Sequence, residues 1–139
     1  MPEPLDVDIV QLARSNDAFR REIATGEHSQ IVAMTIPPGG EIGEEVHEEN
    51  DQLLVFIDGQ GEAVLEGKRS QVGPNDLVLV PAGTRHNFIN SGDGPLRLVT
   101  VYAPPEHAPG TVHLTKGRGR RRRGRRALTV REELPCACC

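Results

Sequence analysis

Tryptophan is absent from this chain, which holds one tyrosine and three phenylalanines in 139 residues. A core poor in aromatics has to be built from valine, isoleucine and leucine, and β-branched residues favour strands over helices. Cysteine is missing from the whole body. All three thiols, Cys136, Cys138 and Cys139, sit at the extreme C-terminus. They cannot staple a fold, and without a nearby histidine they lack the paired spacing of a zinc site, so reduced thiols on a tail are expected. No apolar run approaches the ~20 residues of a membrane span. The first residues, MPEPLDVDIV, lack the basic-then-apolar order of a signal peptide. A cytoplasmic protein without a membrane partner is the expectation.

What is present is turn chemistry and charge. Fifteen glycines and eleven prolines are spread along the sequence, which implies frequent turns. The length suits one domain with its own core. The formal charge of −4 hides two unlike parts. Residues 1–116 carry eight Lys and Arg against eighteen Asp and Glu, whereas residues 117–139 carry eight Arg against two Glu. An acidic body lacks the basic footprint that phosphate binding needs, so nucleic acid is not its expected ligand. Only the tail, with its run GRGRRRRGRR at 117–126, offers such a footprint. That run has no apolar residue with which to offset its ordering entropy, and residues 117–139 are expected to be a disordered basic tail.

Along the body, turn signals recur at short intervals. Residues 1–28 read as a lead-in, with Ser15 or Asn16 as N-cap of a helix over about 17–24 and Phe19 and Ile23 as its inward stripe. Strands are expected over 29–36, 41–47, 52–57, 62–65, 68–72, 77–80, 85–90 and 95–103, with Asp58-Gly59 in a hairpin turn. The strand over 52–57 is apolar on both faces and should be covered on both sides. Residues 104–116 read as an extended surface arm. Many short strands and one small helix point to an all-β sandwich or barrel.

Within this frame Glu45 and His47 stand two positions apart in an expected strand. Side chains at i and i+2 leave the same face, so a carboxylate and an imidazole can converge on one divalent ion. Gln52 can add an amide oxygen, and His86, in PAGTRHNFIN (81–90), a further nitrogen. Two imidazoles, a carboxylate and an amide oxygen without thiolate suit one Mn, Fe, Ni or catalytic Zn ion rather than a structural zinc. The remaining histidines, His28, His107 and His113, fall in loops and should face solvent.

These positions carry a resemblance. The chain resembles a single-domain cupin, a small bacterial metal-binding type, over about residues 29–103. The family's first motif is G-x5-H-x-H-x3,4-E-x6-G, and Gly39, Glu45, His47, Gln52 and Gly59 fall at its spacings. Its second is G-x5-P-x-G-x2-H-x3-N, matched by Pro81, Gly83, His86 and Asn90, with Asn75 where a glycine is usual. Glu45 replaces a histidine and Gln52 a glutamate, and both replacements keep a donor atom.

The resemblance implies a double-stranded β-helix, or jelly-roll, barrel over 29–103, assembled as a homodimer, with metal ligands Glu45, His47, Gln52 and His86. Pocket walls would come from Met34, Ile36, Leu54, Phe56 and Phe88, and Tyr102 would be the proton donor beside the ion. Arg85 should point outward by strand alternation. One similar branch comprises sugar-acid enzymes with a His/His/Gln/His site. The expected activity is metal-dependent isomerisation or enolisation of a small sugar-derived, keto or hydroxy acid. Two alternatives stand beside it, a non-haem iron dioxygenase and a non-catalytic small-ligand sensor.

Overall fold

The structure, a computed structural model, describes residues 3–116. The chain starts with one short helix, α1 (Ile9–Ser15). Asp8 caps it, its carboxylate accepting from the backbone N–H groups of Val10 at 2.9 Å and Gln11 at 3.0 Å, two donors the first turn otherwise leaves unpaired.

Strands follow: β1 (Arg20–Thr25), β2 (Gln30–Ile36), β3 (Asp51–Asp58), β4 (Gly61–Leu65), β5 (Lys68–Val72), β6 (Leu77–Val80), β7 (His86–Asn90), β8 (Leu96–Ala103) and β9 (Val112–His113). They form a six-stranded sheet ordered β6-β3-β8-β2-β1-β9 and a three-stranded sheet ordered β5-β4-β7, with antiparallel pairing throughout. The all-β jelly-roll expectation holds. Among the described residues no helix is long and apolar enough to cross a membrane, and the arginine-rich and cysteine tail lies outside the described residues.

Burial follows the two-residue period of the strands. In β2, Gln30, Val32, Met34 and Ile36 are buried, and in β8, Leu96, Leu98, Thr100 and Tyr102 are. These inward positions join Leu54, Phe56, Ala63, Val72, Val80 and Phe88 in one core. Phe56 and Phe88 bridge the two sheets with ring centroids 5.7 Å apart. Each large side chain so buried contributes about 1.5–3 kcal/mol, so aliphatic burial sustains a core with few aromatics.

The helix expected over 17–24 is not there. Residues 20–25 are strand and the helix lies upstream. Phe19 and Ile23 fit a helical stripe, but pairing of β1 with β2 across the Gly26 turn supplies the backbone bonds instead. Asn16 caps no helix start. Its buried amide donates to Ala18 O at 2.8 Å and Thr35 Oγ1 at 3.1 Å, tying the end of α1 to the sheet. The six-stranded sheet also reaches outside 29–103, because β1 and β9 pair with each other.

Residues 41–47 form no continuous strand. Two isolated bridges, Glu41 to Ile89 and Glu45 to His86, flank Gly43, whose φ of +105° breaks the run. Strand β3 is covered only in part on its outer face. Ala13 of α1 packs with Ile57 and Val99, while Leu53 stays exposed beside Leu77 and Leu79 of the edge strand β6.

Two turns explain the glycine pattern. Gly59 has φ +94°, and a Cβ there would lie 2.5 Å from the Pro95 carbonyl oxygen. Asn75, at the position where a glycine is usual, has φ +75°. Asparagine reaches this left-handed region at low cost because its short polar side chain bonds locally.

Candidate metal centre

The segment before β3 is laid against β7 by backbone bonds. Ile42 N donates to Phe88 O, and Glu45 and His86 donate to each other's carbonyls, all at 2.9 Å. Gly83 N donates to His47 O at 2.8 Å. These contacts bring Glu45, His47 and His86 together, with one ligand atom from each lying within 4.8 Å of the others. Glu45 Oε1 is 3.1 Å from His47 Nε2 and 3.9 Å from His86 Nε2. His47 and His86 are buried, and the Glu45 side chain is 13% exposed.

The protonation pattern follows from the partners. His86 Nδ1 faces Thr84 O at 2.8 Å. A carbonyl only accepts, so Nδ1 carries the proton and the neutral ring presents a lone pair at Nε2. Burial holds the His86 pKa below its usual value. Its Nε2 is buried and has no hydrogen-bond partner.

Gln52, the first buried residue of β3, is oriented by the same reasoning. Thr100 Oγ1 donates to Leu53 O at 2.9 Å, so it accepts from Gln52 Nε2 at 3.1 Å. The amide oxygen Oε1 is left buried without a partner. An unsatisfied buried polar atom costs about 1–3 kcal/mol. His86 Nε2, a lone pair beside a carboxylate and a second imidazole, is a donor a divalent cation would satisfy, and the Gln52 oxygen is of the donor type such an ion accepts. The residues present fit such an ion.

His47 differs from His86. Burial works against its charged form, but hydrogen bonds to Glu106 and Glu45, and their charges, outweigh this and raise its pKa to about 9. Without a metal it is an imidazolium between two carboxylates, with Nδ1 3.5 Å from Glu106 Oε2.

The other expected residues are placed as follows. Tyr102 is buried, its ring edge-on to His47 at 5.7 Å and to His107 at 5.2 Å. Met34, Ile36, Leu54, Phe56 and Phe88 are fully buried in the core. Arg85 points outward, 3.6 Å from Glu44. His28 is exposed.

His107 and His113 correct the expectation of solvent-facing loops. His107 Nε2 is buried, and burial with the charges of Arg20 and His113 lowers the pKa to about 3. His113 lies in β9, its Nδ1 3.1 Å from Arg20 Nη1. Sequence reasoning also missed Glu106. Its segment, APPEHAPG, has no period to read, and its position depends on Gln30, whose buried Oε1 accepts from Glu106 N at 3.1 Å and His107 N at 2.9 Å.

The chain is similar to several known proteins. The family model for the cupin domain matches residues 32–102, just over half of the chain. The Bacillus subtilis protein YrkC is 41% identical over 122 residues, covering 83% of this chain and 65% of YrkC. The chain thus spans slightly under two thirds of that relative. The crystal structure of BH2720 from Bacillus halodurans superposes with a TM-score of 0.81 at 40% identity, covering 83% of this chain and 92% of that one. The mannose-1-phosphate guanylyltransferase ManC of Salmonella typhimurium is 28% identical over 79 residues, which cover 57% of this chain and 16% of the enzyme.

Proposed function

Since the chain belongs to the cupin family, we propose that it is a divalent-metal-dependent enzyme that isomerises or enolises a small sugar-derived, keto or hydroxy acid. The observation that carries the reading is the convergence of Glu45 and His47 on His86, whose Nε2 lone pair is buried and unpartnered. Gln52 Oε1 is the fourth donor. The bound ion, Mn, Fe, Ni or Zn, would supply Lewis acidity toward a hydroxyl and carbonyl of the substrate.

The chain's own residues do the rest. The fully buried Leu54, Phe56 and Phe88 exclude water from the barrel interior. Tyr102, whose ring is edge-on to His47, is the side chain of the right chemistry for general acid–base work. The likeness to a segment of ManC supports a sugar-derived substrate. The exposed Leu53, Leu77 and Leu79 support assembly as a homodimer in the same reading.

Elemental analysis of purified protein, followed by metal-reconstituted turnover of uronates and sugar phosphates with oxygen uptake monitored, tests this. One equivalent of metal and isomerisation without oxygen uptake is the expected result. A protein that takes up none of the four metals overturns it. A second reading rests on the composition of Glu45, His47 and His86, that of the two-histidine, one-carboxylate iron site of oxygenases. Oxygen consumption dependent on Fe²⁺ would select that reading.

A further inference from the structure

The segment after β8 returns to the elements that carry the site. It is fastened there by buried side chains of other strands. Gln30 of β2, fully buried, clamps it with three bonds: Oε1 accepts from Glu106 N and His107 N, and Nε2 donates to His107 O at 2.6 Å. Asn50, buried just before β3, donates to Pro104 O. Farther on, Glu22 accepts from Gly110 N at 3.0 Å, and β9 pairs with β1. So many specific bonds fix the carboxylate of Glu106, whose side chain is 20% exposed, at 3.5 Å from His47 Nδ1.

We propose that Glu106 is a positioning residue for the metal centre: its carboxylate accepts from His47 Nδ1–H and so aims the opposite nitrogen, Nε2, at Glu45 and His86. The proposal rests on the metal-binding reading above. A ligating imidazole whose other ring nitrogen donates to a carboxylate is fixed in tautomer and ring orientation, and becomes more basic. His86 has its own orienting partner, the Thr84 carbonyl. His47 takes its partner from a segment far along the chain, so that segment contributes to the site. The effect of Glu106 runs through His47.

The test uses the full chain and Co²⁺ as the probe, because its visible spectrum reports coordination. Glu106→Gln keeps the side chain's shape but removes its charge, and is expected to weaken Co²⁺ binding about 10- to 100-fold and to change the spectrum. Glu49→Gln, an exposed carboxylate of the ligand loop, should bind as the wild type. Separately, in metal-free protein the ring Nδ1–H proton resonance of His47 should be protected from exchange, and Glu106→Ala should abolish that protection. If wild type and Glu106→Gln bind Co²⁺ with equal affinity and the same spectrum, the proposal is overturned. If the wild type takes up no metal, the metal-binding reading fails on its own. The ring proton then decides whether Glu106 holds His47, and its survival in Glu106→Ala overturns the proposal.

Discussion

Glu45 and His86 lie directly opposite each other and exchange both backbone hydrogen bonds at 2.9 Å. In an antiparallel pair of this kind the Cα atoms stand about 5.5 Å apart. A carboxylate and an imidazole from distant parts of the sequence are therefore set side by side by backbone pairing, before either side chain meets a ligand. The site inherits the rigidity of that bridge and of the Gly83 to His47 bond beside it.

Gln52 should trade stability for metal affinity. In Gln52→Leu the buried, partnerless Oε1 is removed, while the Thr100 hydroxyl keeps its bond to Leu53 O. The metal-free variant is expected to gain about 1 kcal/mol over metal-free wild type, read by urea denaturation, and to bind Co²⁺ more weakly in a chelator competition. A loss of stability without a change in affinity would give Gln52 a purely structural role.

Metal uptake should release close to one proton near neutral pH. With its pKa raised to about 9, His47 is charged in the metal-free protein, and ligation through Nε2 requires that proton to leave. Apparent affinity should rise about tenfold per pH unit up to about pH 9 and then level. In the absence of metal the sign for folding is opposite. The raised pKa gives stability that is fully present below the unfolded value of 6.5 and is lost as pH climbs through about 9. Calorimetry in buffers of different ionisation enthalpy counts the protons.

His107 predicts acid sensitivity. Its folded pKa of about 3 lies below the ordinary 6.5, so between these values the unfolded chain binds the extra proton. Stability falls as pH drops through that window and the contribution levels off below about pH 3, with a slope of at most about 1.4 kcal/mol per pH unit. His107→Gln should flatten the wild-type profile between pH 7 and 5 in denaturant titrations. Parallel profiles would show that the ring is hydrated in the folded state.

Gly59 and Gly67 separate crowding from backbone strain. Both have positive φ, +94° and +81°, but a Cβ at Gly59 would lie 2.5 Å from Pro95 O, and at Gly67 it would meet nothing within 4 Å. Gly67→Ala should cost about 1–2 kcal/mol from conformation alone. Gly59→Ala should cost more, because the turn must also move away from β8. Melting temperatures of the two variants compare them directly.

Seven of the nine strands, the barrel class and the grouping of Glu45, His47 and His86 were legible from periodicity, turn residues and motif spacing, since these are local patterns. Even Asn75 could be read as a stand-in, because what its position demands is a left-handed backbone. Residues 17–24 could not be assigned from pattern alone. Phe19 and Ile23 satisfy a helical period, and only the presence of β2 alongside turns that stretch into a strand. The same holds for Glu106 and His107, whose places are fixed by Gln30 from another part of the chain. By itself, then, the sequence determined which residues repeat, turn and donate. Tertiary structure decided which histidine is charged, which is neutral, and which carboxylate each one meets, because burial and charge partners arise only once separate strands are packed together.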